Sequence, residues 1–310
     1  MIDLLLLGTG GMLPLPNRWL SSLLVRCDGE LTLFDCGEGT QIVWRNFGWG
    51  FRRVGAICFS HTHADHIAGL PGLFHTIANA RRTDPLTVFG PLGIVEVVRG
   101  LRVIAPWLPY EVRVVEVAEG SAFPLPGGMT GRVAAGDHAL PVVAYRVDLP
   151  RSRPFSAARA EALAIPKRLW RSLQAGEPVR WSEGAASPED VLGPPRRGLS
   201  FGYVTDTRPV PAFPNLLQEV DLLVCEGTYG DPEDAPKARA NQHMTFREAA
   251  TLAAEARAGH LWITHFSPGL DEPEAFASEA TDRFPATTIG FSGLQTTLSF
   301  AKAPEKPWQT

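Results

Sequence analysis

The stretch from Ile57 to Leu73, ICFSHTHADHIAGLPGL, limits what this chain can be more than any other. It places His61, His63, Asp65 and His66 within six residues, although the 310-residue sequence has only 8 histidines. A polar loop with chance histidines would rarely concentrate three of them there. An apolar run, Val54 to Phe59, leads in, and a Gly/Pro-punctuated helical pattern leads out. Strand, polar loop and helix together present side chains at a sheet edge. Three imidazoles and a carboxylate this close suit a borderline-soft divalent ion, zinc above all.

Further ligands recur where other apolar runs end. His138 follows Thr130–Ala134, Asp206 follows Leu199–Thr205, and His265 follows Leu261–Thr264. Two ions need about seven or eight donor contacts, with one carboxylate shared. His61, His63 and His138 on one ion, and Asp65, His66 and His265 on the other, form a natural partition. Asp206 bridges them, because a carboxylate has two oxygens and an imidazole offers one free nitrogen. A bridging water completes both shells, with its pKa lowered so that hydroxide is available near neutral pH. Asp35 ends the run Glu30–Phe34 and needs partners if buried. It either holds the metal loop by hydrogen bonds or caps the next helix. His75, inside a helical pattern, is expected on the helix surface or in the core. His260, at a turn, is expected at the surface.

Strand-like runs dominate both halves, from Ile2–Leu7 to Thr287–Ile289 and Thr296–Phe300, with helical patterns over 67–82, 93–104, 246–257 and 273–283. The pattern suits an α/β fold in which two sheets are faced by helices, an αββα sandwich. The Gly8–Gly11 turn does not open a dinucleotide site, because Pro14 and Pro16 interrupt where a helix should start. We expect one domain over 1–310, with an insertion at 150–198 where proline and arginine become frequent and alternation is lost. That segment holds nine Lys/Arg against five Asp/Glu, while the whole chain has a net charge of -4. It is either a solvated excursion or an arm that contacts a polyanion; any such surface must be local. The four cysteines lack CxxC spacing and read as buried free thiols in a reducing cytosol. The N-terminal run of four leucines is too short for a signal peptide or a membrane span, so a cytoplasmic enzyme with no membrane partner is the expectation.

The motifs together resemble the ribonuclease Z family, the tRNA 3′-processing endonucleases of the metallo-β-lactamase superfamily. HTHADH matches that superfamily's HxHxDH pattern. FDCGEGTQ (34–41), SHTHADHIAGLPGL (60–73), His138, VTDT (204–207), EGTY (226–229), His243 ahead of an alanine-rich helix and THFSP (264–268) follow in the family's order. The resemblance implies an αββα metallo-β-lactamase sandwich with an exosite-like arm. It implies a zinc-dependent phosphodiesterase that removes 3′ trailers from tRNA precursors by attack of a metal-bridging hydroxide. The ligands would be His61, His63, Asp65, His66, His138, Asp206 and His265, with Asp65 also counted as catalytic. His243 would be the general acid, oriented by Glu226, and Asp35 would support the ligands from behind. Two Zn2+ per subunit are implied; Mn2+ and Fe2+ share such ligands. Partners would be precursor tRNA and a second copy of the chain in a homodimer, the 150–198 arm of one subunit serving the other. Arg168, Arg171 and Ser267 are candidate substrate contacts. Ala164-Ile165-Pro166-Lys167 stands where the family often has a Gly-Pro-rich tip, and Cys225 departs from the family's usual residues before the glutamate. Two other readings use the same residues: a metal-dependent hydrolase of a small phosphodiester or cyclic nucleotide, and a non-catalytic RNA-binding relative. The latter should lack ligands, and none is missing here.

Overall fold

Leu4 to Leu7 are all fully buried, because strand β1 (Ile2–Gly8) lies in a sheet covered on both faces. Leu4 and Leu6 point into one core and Leu5 and Leu7 into another. The computed structural model describes residues 1–300. The last ten residues of the expected 1–310 domain lie outside the described residues.

Around β1 the first sheet gathers β2 (Ser22–Cys27), β3 (Glu30–Phe34), β4 (Val54–Cys58), β5 (Leu86–Gly90) and β6 (Val112–Glu116). The second sheet begins with β7 (Ala122–Leu125), β8 (Met129–Ala135) and β9 (Val143–Arg151). A short hairpin, β10 (Val179–Trp181) and β11 (Gly184–Ala186), intervenes before the second sheet resumes with β12 (Arg196–Val204), β13 (Leu222–Glu226), β14 (Leu261–Thr264) and β15 (Thr287–Ile289). β16 (Gln295–Leu298) returns to the first sheet. Among the described residues each large sheet has seven strands, ordered β16-β1-β2-β3-β4-β5-β6 and β15-β14-β13-β12-β9-β8-β7. One core combines inward residues of both sheets, with Phe34 edge-on to Tyr145 and Phe201. The outer face of the first sheet packs on helices that include Leu70–Asn79 and Ile94–Leu101. That of the second packs on Phe246–Glu255. The layers are therefore helix, sheet, sheet, helix, as expected from the sequence.

The parallel strands β3-β4-β5-β6 and β12-β13-β14-β15 decide where chemistry can sit. Loops at the carboxyl ends of parallel strands are where open α/β sheets bind ligands. Asp35, Ser60 to His66, Asp206, Glu226 and His265 all lie at or just beyond such ends.

Some elements differ from the sequence expectation for physical reasons. The helix expected over 67–82 is two, Ala64–Ile67 and Leu70–Asn79. The Gly69 amide donates to the Cys36 carbonyl (2.9 Å) instead of continuing the helix, and a Cβ there would stand 2.2 Å from the Gly37 carbonyl oxygen. The expected helix over 93–104 ends as a 3-10 turn, Arg102–Ile104. β7 has no clear signal in the sequence, being only four residues long with a proline among them. Thr245 caps its helix in a capping box with Glu248. All four cysteines are free and buried.

By packing, the described residues divide into two compact units: Met1–Leu149 with 199–300, and Pro150–Gly198. The second unit has its own small core, including Ala160, Ile165, Leu173 and Val191. Its strands have three residues each, too short to show alternation in the sequence. Arg168 and Arg171 are exposed on this unit. Among the described residues no helix is long and apolar enough to cross a membrane.

Candidate metal centre and active site

The strand ends bring seven ligand-type residues into two groups that share one carboxylate. His61, His63, His138 and Asp206 form the first, and Asp65, His66, Asp206 and His265 the second. In the first, His61 Nε2 lies 2.9 Å from His63 Nδ1, which is 3.2 Å from His138 Nε2. In the second, His66 Nε2 lies 3.1 Å from His265 Nε2. Asp206 turns Oδ2 to His61 (3.6 Å) and His138 (3.9 Å), and Oδ1 to His66 (3.2 Å) and His265 (3.0 Å). Asp65 Oδ2 stands 3.4 Å from His66 Nε2 and 3.5 Å from His265 Nε2.

The other ring nitrogens decide whether these groups fit a cation. His66 Nδ1 faces the Asp35 carboxylate at 2.8 Å, which can only accept, so Nδ1 carries the hydrogen. His138 Nδ1 faces the Gln242 carbonyl (3.2 Å) with the same consequence. The Ser60 hydroxyl donates to Asp35 (2.8 Å) and so accepts from His61 Nδ1 (3.0 Å). The Thr228 hydroxyl donates to Glu226 (2.6 Å) and accepts from His265 Nδ1 (3.1 Å). Four imidazoles thus carry a hydrogen on Nδ1 and turn Nε2 into the two groups, where each neutral ring would present a lone pair. Lone pairs and carboxylate oxygens this close repel one another unless positive charge lies among them. The donor set therefore fits divalent metal, with neutral imidazole and carboxylate as ligands.

The charges around these groups point the same way. Burial favours the neutral acid of Asp206, yet the surrounding His265, His66 and His61 rings hold it well below the usual carboxylate range. Burial opposes charge on His265, but Asp206 and Asp65 raise it to about 10. Burial likewise opposes charge on His66, and Asp206 and Asp35 nonetheless raise it well above an ordinary imidazole. His61 goes the other way, lowered by burial and by His66. The buried carboxylates thus demand positive charge from protons or metal.

The backbone is bent to deliver these side chains. Asp35, Asp206 and His265 all have left-handed φ, at 54°, 51° and 60°. Asp and His tolerate that region better than most residues. Asp35 is fully buried and accepts from the Ser60 amide (2.8 Å), the Ser60 hydroxyl and the Tyr203 hydroxyl (2.9 Å) besides His66. It caps no helix; it fixes the loop from Ser60 to His66.

A second construction stands beside the groups. Glu226, fully buried, accepts from the Thr207 amide (2.6 Å), the Thr228 hydroxyl (2.6 Å) and the Met244 amide (3.0 Å). His243 Nδ1 lies 3.2 Å from its Oε2, so Nε2 is the ring nitrogen that Glu226 leaves unbound. Burial opposes charge on His243, but the Glu226 carboxylate raises its pKa above the ordinary value. A cleft of about 390 Å³ is lined by Met12, His63, Asp65, His138, Asp206 and His243, among others. Asp206 Oδ2 and His243 Nδ1 are 4.0 Å apart.

Three candidates lie elsewhere. Ser267 lines a neighbouring groove with Tyr229 and Lys237, and Arg168 and Arg171 belong to the second unit. His75 is exposed, with Nε2 3.2 Å from the Ile104 carbonyl. His260 is half-buried rather than at the surface, bonded to Thr288 (2.9 Å). Sequence reasoning missed Ser60, Tyr203, Thr207 and Thr228, which fix the tautomers and carboxylates. It also missed Met12, whose amide donates to Asp65 (2.7 Å), and Gly11. A Cβ at Gly11 would meet the His265 ring at 2.4 Å, so the glycine turn rejected as a nucleotide loop makes room for a ligand.

Comparison with known proteins agrees with this geometry. Residues 2–94 match a family model described as Anti-Pycsar protein Apyc1. The metallo-beta-lactamase fold protein YhfI of Bacillus subtilis superposes with a TM-score of 0.69 at 18% identity, covering 95% of this chain and 98% of that one. The short form of human tRNase Z gives 0.69 at 23% identity, covering 96% and 100%. Fold and donor set together define a metallo-β-lactamase-fold protein with a divalent-metal site. The Ribonuclease Z of Clostridium kluyveri is 42% identical over 301 residues, 97% of this chain and 99% of that relative. This chain belongs to the ribonuclease Z family.

Proposed function

We propose that this chain is a metal-dependent endoribonuclease that removes 3′ trailers from tRNA precursors, leaving a 3′-hydroxyl on the tRNA. One observation carries the reading: the Glu226–His243 pair beside two ligand groups that share Asp206. Two divalent ions, zinc first and manganese or iron as substitutes, held by those groups would supply a nucleophile at neutral pH and positive charge for the phosphate. The chain's own residues do the rest. Glu226 holds Nδ1 of His243 and keeps the ring protonated. As the bond between phosphorus and the tRNA 3′ oxygen breaks, His243 Nε2 gives its proton to that oxygen. An alkoxide is a poor leaving group, and a positioned acid removes the penalty. Asp65 ties the second ligand group to the Met12 loop at the cleft mouth.

The working form in this reading is a cytoplasmic homodimer, the Pro150–Gly198 unit of one subunit gripping tRNA bound at the other. The excess of basic residues in that unit supports its contact with tRNA phosphates. Arg168 and Arg171, both exposed, are its phosphate contacts. Replacing both by glutamine is expected to weaken precursor binding and to flatten the plot of log affinity against log salt by about one unit for each phosphate no longer neutralised. An unchanged slope in filter binding would show that they touch no phosphate.

The substrate is tested by offering the protein a labelled 3′-extended tRNA precursor and, separately, bis-p-nitrophenyl phosphate, with zinc or manganese. Efficient cleavage of the precursor at one site is expected. Turnover of the small diester or of a cyclic nucleotide, with the precursor left intact, would replace this reading by that of a small-phosphodiester hydrolase.

A further inference from the structure

Arg208 lies two residues beyond Asp206 and belongs to neither ligand group. Its side chain is half-buried, and its guanidinium forks. Nη1 donates to the backbone carbonyl of His243 and to Glu248 Oε2 (3.0 Å), and Nη2 pairs with Glu248 Oε1. Glu248 is itself committed: its Oε2 accepts from the Thr245 amide (2.9 Å) and hydroxyl (3.1 Å), closing the helix cap directly after His243. The backbone of Arg208 is fixed too, its amide donating to the Asp137 carbonyl (3.0 Å) next to His138. Asp137 Oδ1 accepts from the Gln242 side chain (3.0 Å), and the Gln242 carbonyl faces His138 Nδ1 (3.2 Å). The segment 242–245 is therefore lashed to two ligand-bearing loops, with the Arg208 guanidinium as the cation in that lashing.

This arrangement answers a mechanical problem. Glu226 fixes Nδ1 of His243 and the Met244 amide (3.0 Å), and the His243 amide donates to the Ala238 carbonyl (2.8 Å), but neither holds the His243 carbonyl, whose placement also sets how far the ring stands from the cleft. That distance depends on the backbone at 242–245, where Gln242 has a left-handed φ of 58°. We infer that Arg208 is the positioning residue of the proton donor: by clamping the His243 carbonyl and Glu248 it sets the reach of His243 Nε2, without touching the substrate.

The inference rests on the ribonuclease reading and on His243 as acid, and leaving-group chemistry separates it from a merely structural role. A ribose 3′ alkoxide needs a proton as it leaves; p-nitrophenolate is stable without one. Arg208→Gln is expected to lower kcat on precursor tRNA by about 10²-fold, the typical cost of a displacement of about 1 Å. KM should barely change, and turnover of bis-p-nitrophenyl phosphate should stay near wild type. In a His243→Ala background the same substitution should cost nothing further, because residues acting through one another are not additive. Arg208→Lys, which keeps the charge and a single donor head, should show a smaller loss of the same selectivity; it carries the comparison if the glutamine variant folds poorly. Equal losses on both substrates, no loss on either, or an additive loss in the His243→Ala background would overturn the inference. A wild-type protein that leaves precursor tRNA uncut defeats the functional reading and this inference together. One that cuts, with Arg208→Gln impaired equally on both substrates, defeats the inference alone.

Discussion

Asp206→Ala protein is expected to fold, to bind almost no metal and to lose measurable turnover on every phosphodiester. The carboxylate faces four imidazoles from two directions, at 3.0 to 3.9 Å. Its removal takes one donor from each ligand group and the charge they share. Losing a partner that only supports a ligand costs about 10–100-fold in metal affinity. Losing a ligand common to two groups should exceed that on both sides. Elemental analysis after purification in zinc, beside a turnover assay, checks this. Wild-type metal content in the variant would mean that Asp206 does not bridge.

His243→Ala should separate chemistry from metal. The side chain belongs to neither group joined by Asp206, although Glu226, His243 and His265 also come together as a third set of possible donors. If Nδ1 serves Glu226 and Nε2 serves the leaving oxygen, metal content stays at the wild-type level. Precursor cleavage then falls by about 10²–10⁴-fold, the usual contribution of a general acid. The small activated diester should lose far less, since its leaving group needs no proton. Loss of metal with activity would make His243 a ligand and cancel its role as acid.

What the sequence revealed of this site follows the range of each interaction. His61, His63, Asp65 and His66 are legible because four ligand-type residues at short spacing have little other use. His138, Asp206 and His265 are legible because each ends a strand-like run, and a sandwich collects such ends along one edge. Glu226 and His243 are 17 residues apart, and no local rule pairs a strand-end glutamate with a histidine ahead of a helix. Only the family resemblance joined them. Ser60 and Thr228 fall inside quoted motifs without any sign of their roles, and Tyr203 and Arg208 gave no signal at all. Their residue types are common, and their roles arise from pairings as distant as Tyr203 with Asp35, 168 positions away. The layers were legible because alternating and continuous apolar runs report burial. The break at Ala68–Gly69 was not, because a carbonyl from another loop takes the amide that would have continued the helix.

The most direct test of the proposed activity is to map the ends produced when the purified protein meets a 3′-extended tRNA precursor, with and without a chelator. The predicted result is a single cut directly after the discriminator nucleotide, a 3′-hydroxyl on the tRNA, abolition by the chelator and recovery on adding zinc or manganese. Cleavage indifferent to the chelator, scattered along the RNA or absent would contradict it.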